Sequence, residues 1–466
     1  MCALNALHSS ARDVDSFTST CDGPPRLAQE AIHSRIAERV SSFGVRPSLT
    51  CKEAFESTIK TKDIYAVLPH NLRPFDESKL KILRGRVHPA PLRDRLPPDS
   101  LRYLDNHRTL ISRSQKEIDD LNEQGLLPQI RPYWDPVLRW NRSVRIRLSC
   151  RLAAMGLIGF RLSILARVAL FFVGKKDGGL RMVVDGREPS ALHRPPPHVN
   201  LGSAGAIAQL DLSDDMLGLC DLDWDSADFH AAGADLEDGF HQFTEEELAS
   251  YFGLDFPEPA GVYGTEFIYD PASQSHVRVD PTTIVFPVYV GLPQGWSWSL
   301  YFCQSALASS ISSALSTRLS QAPLLQEGRP QPRLSPHAAV GSSYVDNATV
   351  LGPGHDLTDT SLDLLLDELT RKGLRYHEVA NATKIYSTVG VILDLHRGRD
   401  DHKPDRAWKL YLTLFSPVAY GGHYRFGVAC CGWSLCQLLP AASSCAVRAG
   451  FGVRVHSGAS LQFRLL

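Results

Sequence analysis

The sequence predicts an α+β fold in which a small sheet carries helices on one face. Three observations lead there. Short apolar runs at Leu170–Val173 and Leu180–Val184 flank the polar turn Lys175-Lys176-Asp177-Gly178-Gly179, the pattern of a β-hairpin. Leu307, Ile311, Leu315 and Leu319 recur every fourth residue, and Leu362–Leu369 is amphipathic, so a helix is expected at each place. Thr282–Val290, Tyr344–Leu351 and Val389–Leu393 read as strand segments around those helices.

The remaining segments follow in order. Residues 1–70 have Ser, Asp and Thr clusters and weak periodicity, so they read as a poorly ordered leader. Residues 71–160 read as a helical N-terminal region. Ile111, Ile118 and Leu121 share one face there, and Gly125 is placed to end the helix. Pro195–Pro197 breaks regular structure, Leu292-Pro293-Gln294-Gly295 is a turn, and 321–337 is a Pro/Gln loop. Gly373 is placed to cap the helix that includes Leu362–Leu369. After about residue 425 the chain turns to Cys, Ala, Ser and Gly with little charge.

A hydrophobic content of 43% over 466 residues is enough for a real core. The net charge of −2 is uninformative, but its distribution is uneven. Residues 72–194 hold about 24 Lys/Arg against about 13 Asp/Glu, whereas 211–270 hold about 17 acidic residues and no Lys or Arg. That order fits a polyanion-binding surface beside a metal-binding one, although solvated charged faces give the same composition. Ten cysteines include Cys430, Cys431, Cys436 and Cys445, which lack zinc-site spacing and read as free thiols. The most apolar run, Ile164–Val173, is interrupted by Arg167 and too short to span a bilayer. With no secretory signal visible, an intracellular location, cytoplasm or nucleus, is expected.

Two acidic sites carry the chemistry. Asp235-Leu236-Glu237-Asp238-Gly239-Phe240 and Tyr344-Val345-Asp346-Asn347 can each place a carboxylate at a strand end or turn. Two such carboxylates can hold a pair of Mg²⁺ ions about 4 Å apart for in-line phosphoryl chemistry. Each site alone is ordinarily just a polar turn.

Together with their neighbours, these segments resemble reverse transcriptases, the RNA-directed DNA polymerases of retroelements and retroviruses. Phe172–Arg187 resembles the fingers hairpin of that family, and Ala234–Phe240 its first palm motif. Gly291-Leu292-Pro293-Gln294-Gly295-Trp296-Ser297-Trp298-Ser299 resembles the second palm motif, and Tyr344-Val345-Asp346-Asn347 the Tyr-x-Asp-Asp box. Gly373-Leu374 through Lys384, then Val389-Gly390-Val391, resembles the closing palm motifs and primer grip. The likeness covers roughly residues 70–420.

The resemblance implies a right-hand polymerase with fingers, a ferredoxin-like palm and a partial helical thumb. Fingers would occupy 161–234, the palm 235–395 with a fingers insertion at 241–290, and a partial thumb and atypical tail 396–466. It implies template-directed DNA synthesis from dNTPs, on an RNA or DNA template with a primer and with no membrane. Two Mg²⁺ ions, which Mn²⁺ can replace, would be held by Asp235 and Asp346. Lys176 or Lys175 and Arg181 would reach the triphosphate. Asp238 and Gly239 would present backbone N–H groups to it. Phe240 would lie under the sugar and exclude a 2′-hydroxyl, while Gln294 and Gly295 would line the nucleotide pocket. Trp296 and Trp298 read as packing residues. Asn347 stands where the family has a second Asp, which removes one charge from the catalytic set. A non-catalytic, nucleic-acid-binding relic therefore stays open. A viral RNA-dependent RNA polymerase is opposed by Phe240.

Overall fold

A computed structural model describes Ser34, Glu38, Ser41 and residues 72–80, 89–127, 129–175, 177–208, 210, 228–316, 324–332, 334–395 and 399–402. Lys176, Leu319, most of the leader, the tail beyond 402 and the acidic stretch 211–227 lie outside these residues. The fold is mixed helix and sheet, α+β.

Helix α1, Gln115–Glu123, opens on a capping box: the Ser114 hydroxyl accepts from Glu117 N–H, and the Glu117 carboxylate accepts from Ser114 N–H. That cap splits the face expected for Ile111, Ile118 and Leu121. Ile111 precedes the cap and is fully buried, whereas α1 itself buries none of its residues. Gly125 follows with φ +66°, the left-handed conformation that ends a helix. Helix α2, Arg142–Ala154, leads into the first sheet.

The first sheet contains β1 (Ile158–Arg161), β2 (Arg167–Gly174), β3 (Leu180–Asp185) and β4 (Ile284–Tyr289), with Gly253–Leu254 joining β4 to β2. The hairpin is present: β2 and β3 pair antiparallel from Ala169↔Asp185 to Gly174↔Leu180. Phe171, Phe172, Met182 and Val184 are buried, as a strand pair covered on both faces requires. A strap at 72–80 lies along the hairpin. Arg73 N–H donates to the Phe172 carbonyl at 3.0 Å, and Leu180 N–H to the Lys79 carbonyl at 2.8 Å. Buried Asp135 ties that strap to the helix Pro136–Trp140, accepting from Phe75, Val137 and Leu138 N–H.

The second sheet is built on a central strand, Phe229–Leu236. Its order is Leu324–Leu325, Val340–Tyr344, Asn347–Pro353, Phe229–Leu236, Tyr376–Thr383, and all neighbours are antiparallel except the first pair. Two helices, Ser297–Leu315 and His355–Arg371, pack against each other and onto one face of this sheet. Leu236, Ala348 and Val350 meet Leu307, Ile311, Leu365 and Leu369 there in the main core. Gly373, φ +69°, follows the second helix. The opposite face carries Ala231 and Leu351 in a second core with Tyr386, Val391 and Leu393. Those last residues belong to a separate sheet formed by Ile385–Thr388, Val391–Asp394 and Arg399–His402. The strand expected at Val389–Leu393 thus begins two residues later, because Val389 and Gly390 have positive φ and make the turn.

Candidate active site

Antiparallel register brings the two acidic motifs together. Asn347 lies opposite Asp235, and Leu236 N–H donates to the Asp346 carbonyl at 2.7 Å. That bond makes 235/347 a non-hydrogen-bonded pair, the geometry in which cross-strand side chains lie closest. Asp346 occupies the tight turn between Val340–Tyr344 and Asn347–Pro353. Gly239 closes the arrangement from the other side: a Cβ there would come within 3.1 Å of the Asp346 Cβ. The tight approach of the 238–240 turn to Asp346 thus favours a residue without a side chain.

The turn is strained. Val345 has φ +60°, unusual for a β-branched residue and costing about 1–3 kcal/mol. Gln304, buried on the helix Ser297–Leu315, holds it there. Its Oε1 accepts from Val345 N–H at 2.7 Å, and its Nε2 donates to the Ser343 carbonyl at 3.0 Å and the Asn200 carbonyl at 3.1 Å. The Cys303 thiol donates to the Val345 carbonyl at 3.5 Å. A second glutamine braces the first motif. Gln242 Nε2 donates to the Glu237 and Arg375 carbonyls at 2.7 and 2.8 Å, and its Oε1 accepts from Arg375 N–H at 2.6 Å.

Electrostatically the site is a half-buried acidic pair. Burial holds the Asp235 carboxyl above the usual carboxylate range, and the charge of Asp346 raises it further. Burial likewise raises Asp346, against the opposing pull of Arg181 and His377. Two hard oxygen donors that disfavour each other's charge suit a divalent cation that keeps water or phosphate as its remaining ligands. No cluster of three or more His, Cys, Asp or Glu side chains that could hold a metal ion occurs among the described residues.

Cations stand beside the pair. Lys175 Nζ lies 3.5 Å from Asp238 Oδ1, and Arg181, opposite Val173 on the hairpin, contributes to the field at Asp346. Beneath them His241 is buried and hydrogen-bonded to the Tyr289 hydroxyl. Burial, with Lys175 and Arg181 nearby, depresses its imidazole to about 4, so it is neutral at physiological pH.

The structure therefore gathers Asp235, Asp346, Asn347, Asp238, Gly239, Lys175 and Arg181. Phe240 follows directly, half-buried against the main core, so its packing side is real. Gln294 and Gly295 are half-buried in the turn before the helix Ser297–Leu315. Their neighbour is Gly186 at the end of the hairpin, where a Cβ would come within 2.9 Å of Gly295 C. Trp296 and Trp298 are buried packing residues. Their indole N–H groups donate to His193 Nδ1 at 2.8 Å and to the Arg194 carbonyl at 2.7 Å.

Sequence reading missed His377, which lies opposite Asp235 on the Tyr376–Thr383 strand. It also missed Gln304, Gln242, Thr349 and Thr388. Gln304 lies on a helix, Gln242 on the short turn after the first acidic motif and Thr349 and Thr388 on strands, so helix packing and strand pairing together bring them to the site. A groove of about 1050 Å³ runs beside the hairpin turn, lined by Arg73, Lys79, Lys175, Gly178 and Gly179 among others.

No protein-family model matches the chain, and no curated protein matches it. Among solved structures it is similar to the foamy viral protease-reverse transcriptase dRH in complex with double-stranded DNA. Identity is 12% and the TM-score 0.36, over 67% of this chain and 48% of that one. It is also similar to a selenomethionine-labelled CSH mutant of Prototype Foamy Virus protease-reverse transcriptase, at 13% identity and TM-score 0.35. That match covers 79% of this chain and 35% of the other. The chain thus spans less than half the length of either structure. Among the described residues no helix is long and apolar enough to cross a membrane.

Proposed function

We propose that the chain catalyses template-directed DNA synthesis from dNTPs, as a reverse-transcriptase-type polymerase acting on a primed RNA or DNA template. The observation that carries this reading is the meeting of Asp235 and Asp346 at one end of the five-stranded sheet, beside Lys175 and Arg181. In this reading the hairpin sheet belongs to the fingers and the five-stranded sheet is the palm. The division expected from the sequence, fingers 161–234, palm 235–395 with an insertion at 241–290 and a partial thumb from 396, cuts the strand Phe229–Leu236, which belongs whole to the five-stranded sheet.

The primer 3′-hydroxyl gives up its proton to solvent water as its oxygen attacks the α-phosphorus, and the bond to the bridging oxygen breaks as pyrophosphate leaves. Asp235 and Asp346 would hold two Mg²⁺ ions, which when bound supply an activated hydroxyl and charge neutralisation at the leaving oxygens. Lys175, Lys176 and Arg181 bind the triphosphate. Asp238 and Gly239 offer it backbone N–H groups. Phe240 excludes a 2′-hydroxyl, while Gln294 and Gly295 shape the nucleotide pocket.

The test is primer extension by purified chain on an RNA template with dNTPs and Mg²⁺. Asp235→Ala and Asp346→Ala are expected to lose at least about 100-fold in rate, since charge stabilisation by a metal supplies several kcal/mol. Circular dichroism should show both variants folded. Unimpaired extension by Asp235→Ala would sink the assignment. A second reading, a relic that binds nucleic acid without catalysis, is favoured by the amide at Asn347. Salt-sensitive binding of primed template with no extension would support it.

A further inference from the structure

We propose that Asn347 is a positioning residue, an amide locked so that its N–H₂ group orients the Asp235 carboxylate for its cation. This rests on the metal-site reading above.

Register puts Asn347 and Asp235 face to face in the close, non-hydrogen-bonded pair. Asn347 Nδ2 donates to Asp235 Oδ1. An amide can present either end, and the acceptor-only carboxylate of Asp235 selects the nitrogen. Asn347 Oδ1 lies 3.1 Å from the Thr388 hydroxyl and 3.4 Å from the Thr349 hydroxyl, both placed to donate to it. The two hydroxyls also touch each other at 3.1 Å, and the Tyr386 hydroxyl bonds to Thr349. Thr349 and Thr388 are 4% and 2% exposed, so water does not compete for this network. An ionised Asp235 can only accept, so it takes the donor end of the amide, and the threonine hydroxyls, which can donate, satisfy the oxygen left on the far side.

The consequence is chemical. One oxygen of Asp235 is engaged by a neutral donor, which fixes the carboxylate plane and leaves the other oxygen for a cation. A carboxylate at 347 would accept the same hydroxyls but have no proton to give. It would set a third negative charge against Asp235 and Asp346 in a partly buried site. The residue at 347 is thus matched to its threonine partners, and the amide is a working part of the acidic site.

The experiment uses the full chain with Mn²⁺ as probe, followed by electron paramagnetic resonance, and thermal unfolding in EDTA and in Mg²⁺. Asn347→Ala should bind Mn²⁺ at least about tenfold more weakly than the parent, the equivalent of a hydrogen bond to a charged group. Thr388→Val should weaken binding in the same direction, and Thr388→Ser, which keeps the hydroxyl, should restore it. Asn347→Asp should melt below the parent in EDTA and recover in Mg²⁺. Parental affinity in Asn347→Ala, equal behaviour of Thr388→Val and Thr388→Ser, or no Mn²⁺ binding by the parent would each overturn the proposal. So would primer extension by Asn347→Asp that outpaces the parent, since Asn347 would then be a lesion. Mn²⁺ binding with the expected variant pattern but no primer extension would uphold the positioning role and reject the polymerase reading.

Discussion

Phe240 combines two demands. It packs on the main core with one side and stands beside the Asp238–Gly239 turn with the other. If that free side faces the sugar of a bound nucleotide, shortening it opens room for one hydroxyl. Phe240→Ala is expected to raise ribonucleotide incorporation relative to deoxyribonucleotide by about tenfold or more, since a pocket of altered shape discriminates by a few kcal/mol. Single-nucleotide extension with matched rNTP and dNTP reads the ratio. An unchanged ratio would remove Phe240 from sugar selection and leave it a core residue.

The turn bearing Asp346 depends on a neighbouring element more than on its own residues. Val345 has the left-handed backbone that glycine would adopt freely, and Gln304 on the adjacent helix satisfies its N–H. Gln304→Ala would leave that buried N–H without its acceptor. A loss of about 1–3 kcal/mol in unfolding free energy is expected, and denaturant titration measures it. Under the proposed polymerase function, nucleotidyl transfer should fall as well, because the carboxylate of Asp346 loses its fixed support. Full stability in the variant would mean that the strand pairing alone holds the turn.

Across the whole molecule, two buried groups set opposing pH dependences. Burial depresses His193 to about 3 from 6.5. The unfolded chain then binds the proton more readily, so this contribution is complete above about pH 6.5 and is lost as pH falls toward 3. Burial raises Glu245 to about 7 from 4.5, although Arg93 stands 3.7 Å away and opposes the shift. Its contribution is complete below about pH 4.5 and is lost as pH rises toward 7. They are on the order of 5 kcal/mol for His193 and about 3 kcal/mol for Glu245, and between pH 4.5 and 6.5 they oppose each other. Glu245→Gln should make the melting temperature climb more steeply with pH than in the parent. His193→Asn, which keeps an acceptor for the Trp296 indole, should make it climb less or fall. Parallel profiles for parent and both variants would show that neither group titrates differently on folding.

Local pattern determined much of this protein. The hairpin at 167–185, the helices over Leu307–Leu315 and Leu362–Leu369, and the turn glycines at 125 and 373 follow from periodicity and backbone preference, which act over a few residues. The acidic motifs were legible too, because their residue types and order are unusual. The split at Ile111 was not, since a capping box at Ser114 outweighed the apolar spacing across it. Nor were Gln304, Thr349, Thr388 and His377 legible as parts of the site. Their contribution arises from strand register and from one helix crossing the sheet, and neither leaves a trace in a local window of sequence. Asn347 shows the division most plainly. In the sequence it is a missing charge; in the folded chain its nitrogen faces the Asp235 carboxylate and its oxygen faces two threonine hydroxyls. Only tertiary structure decides which end of an amide faces which partner.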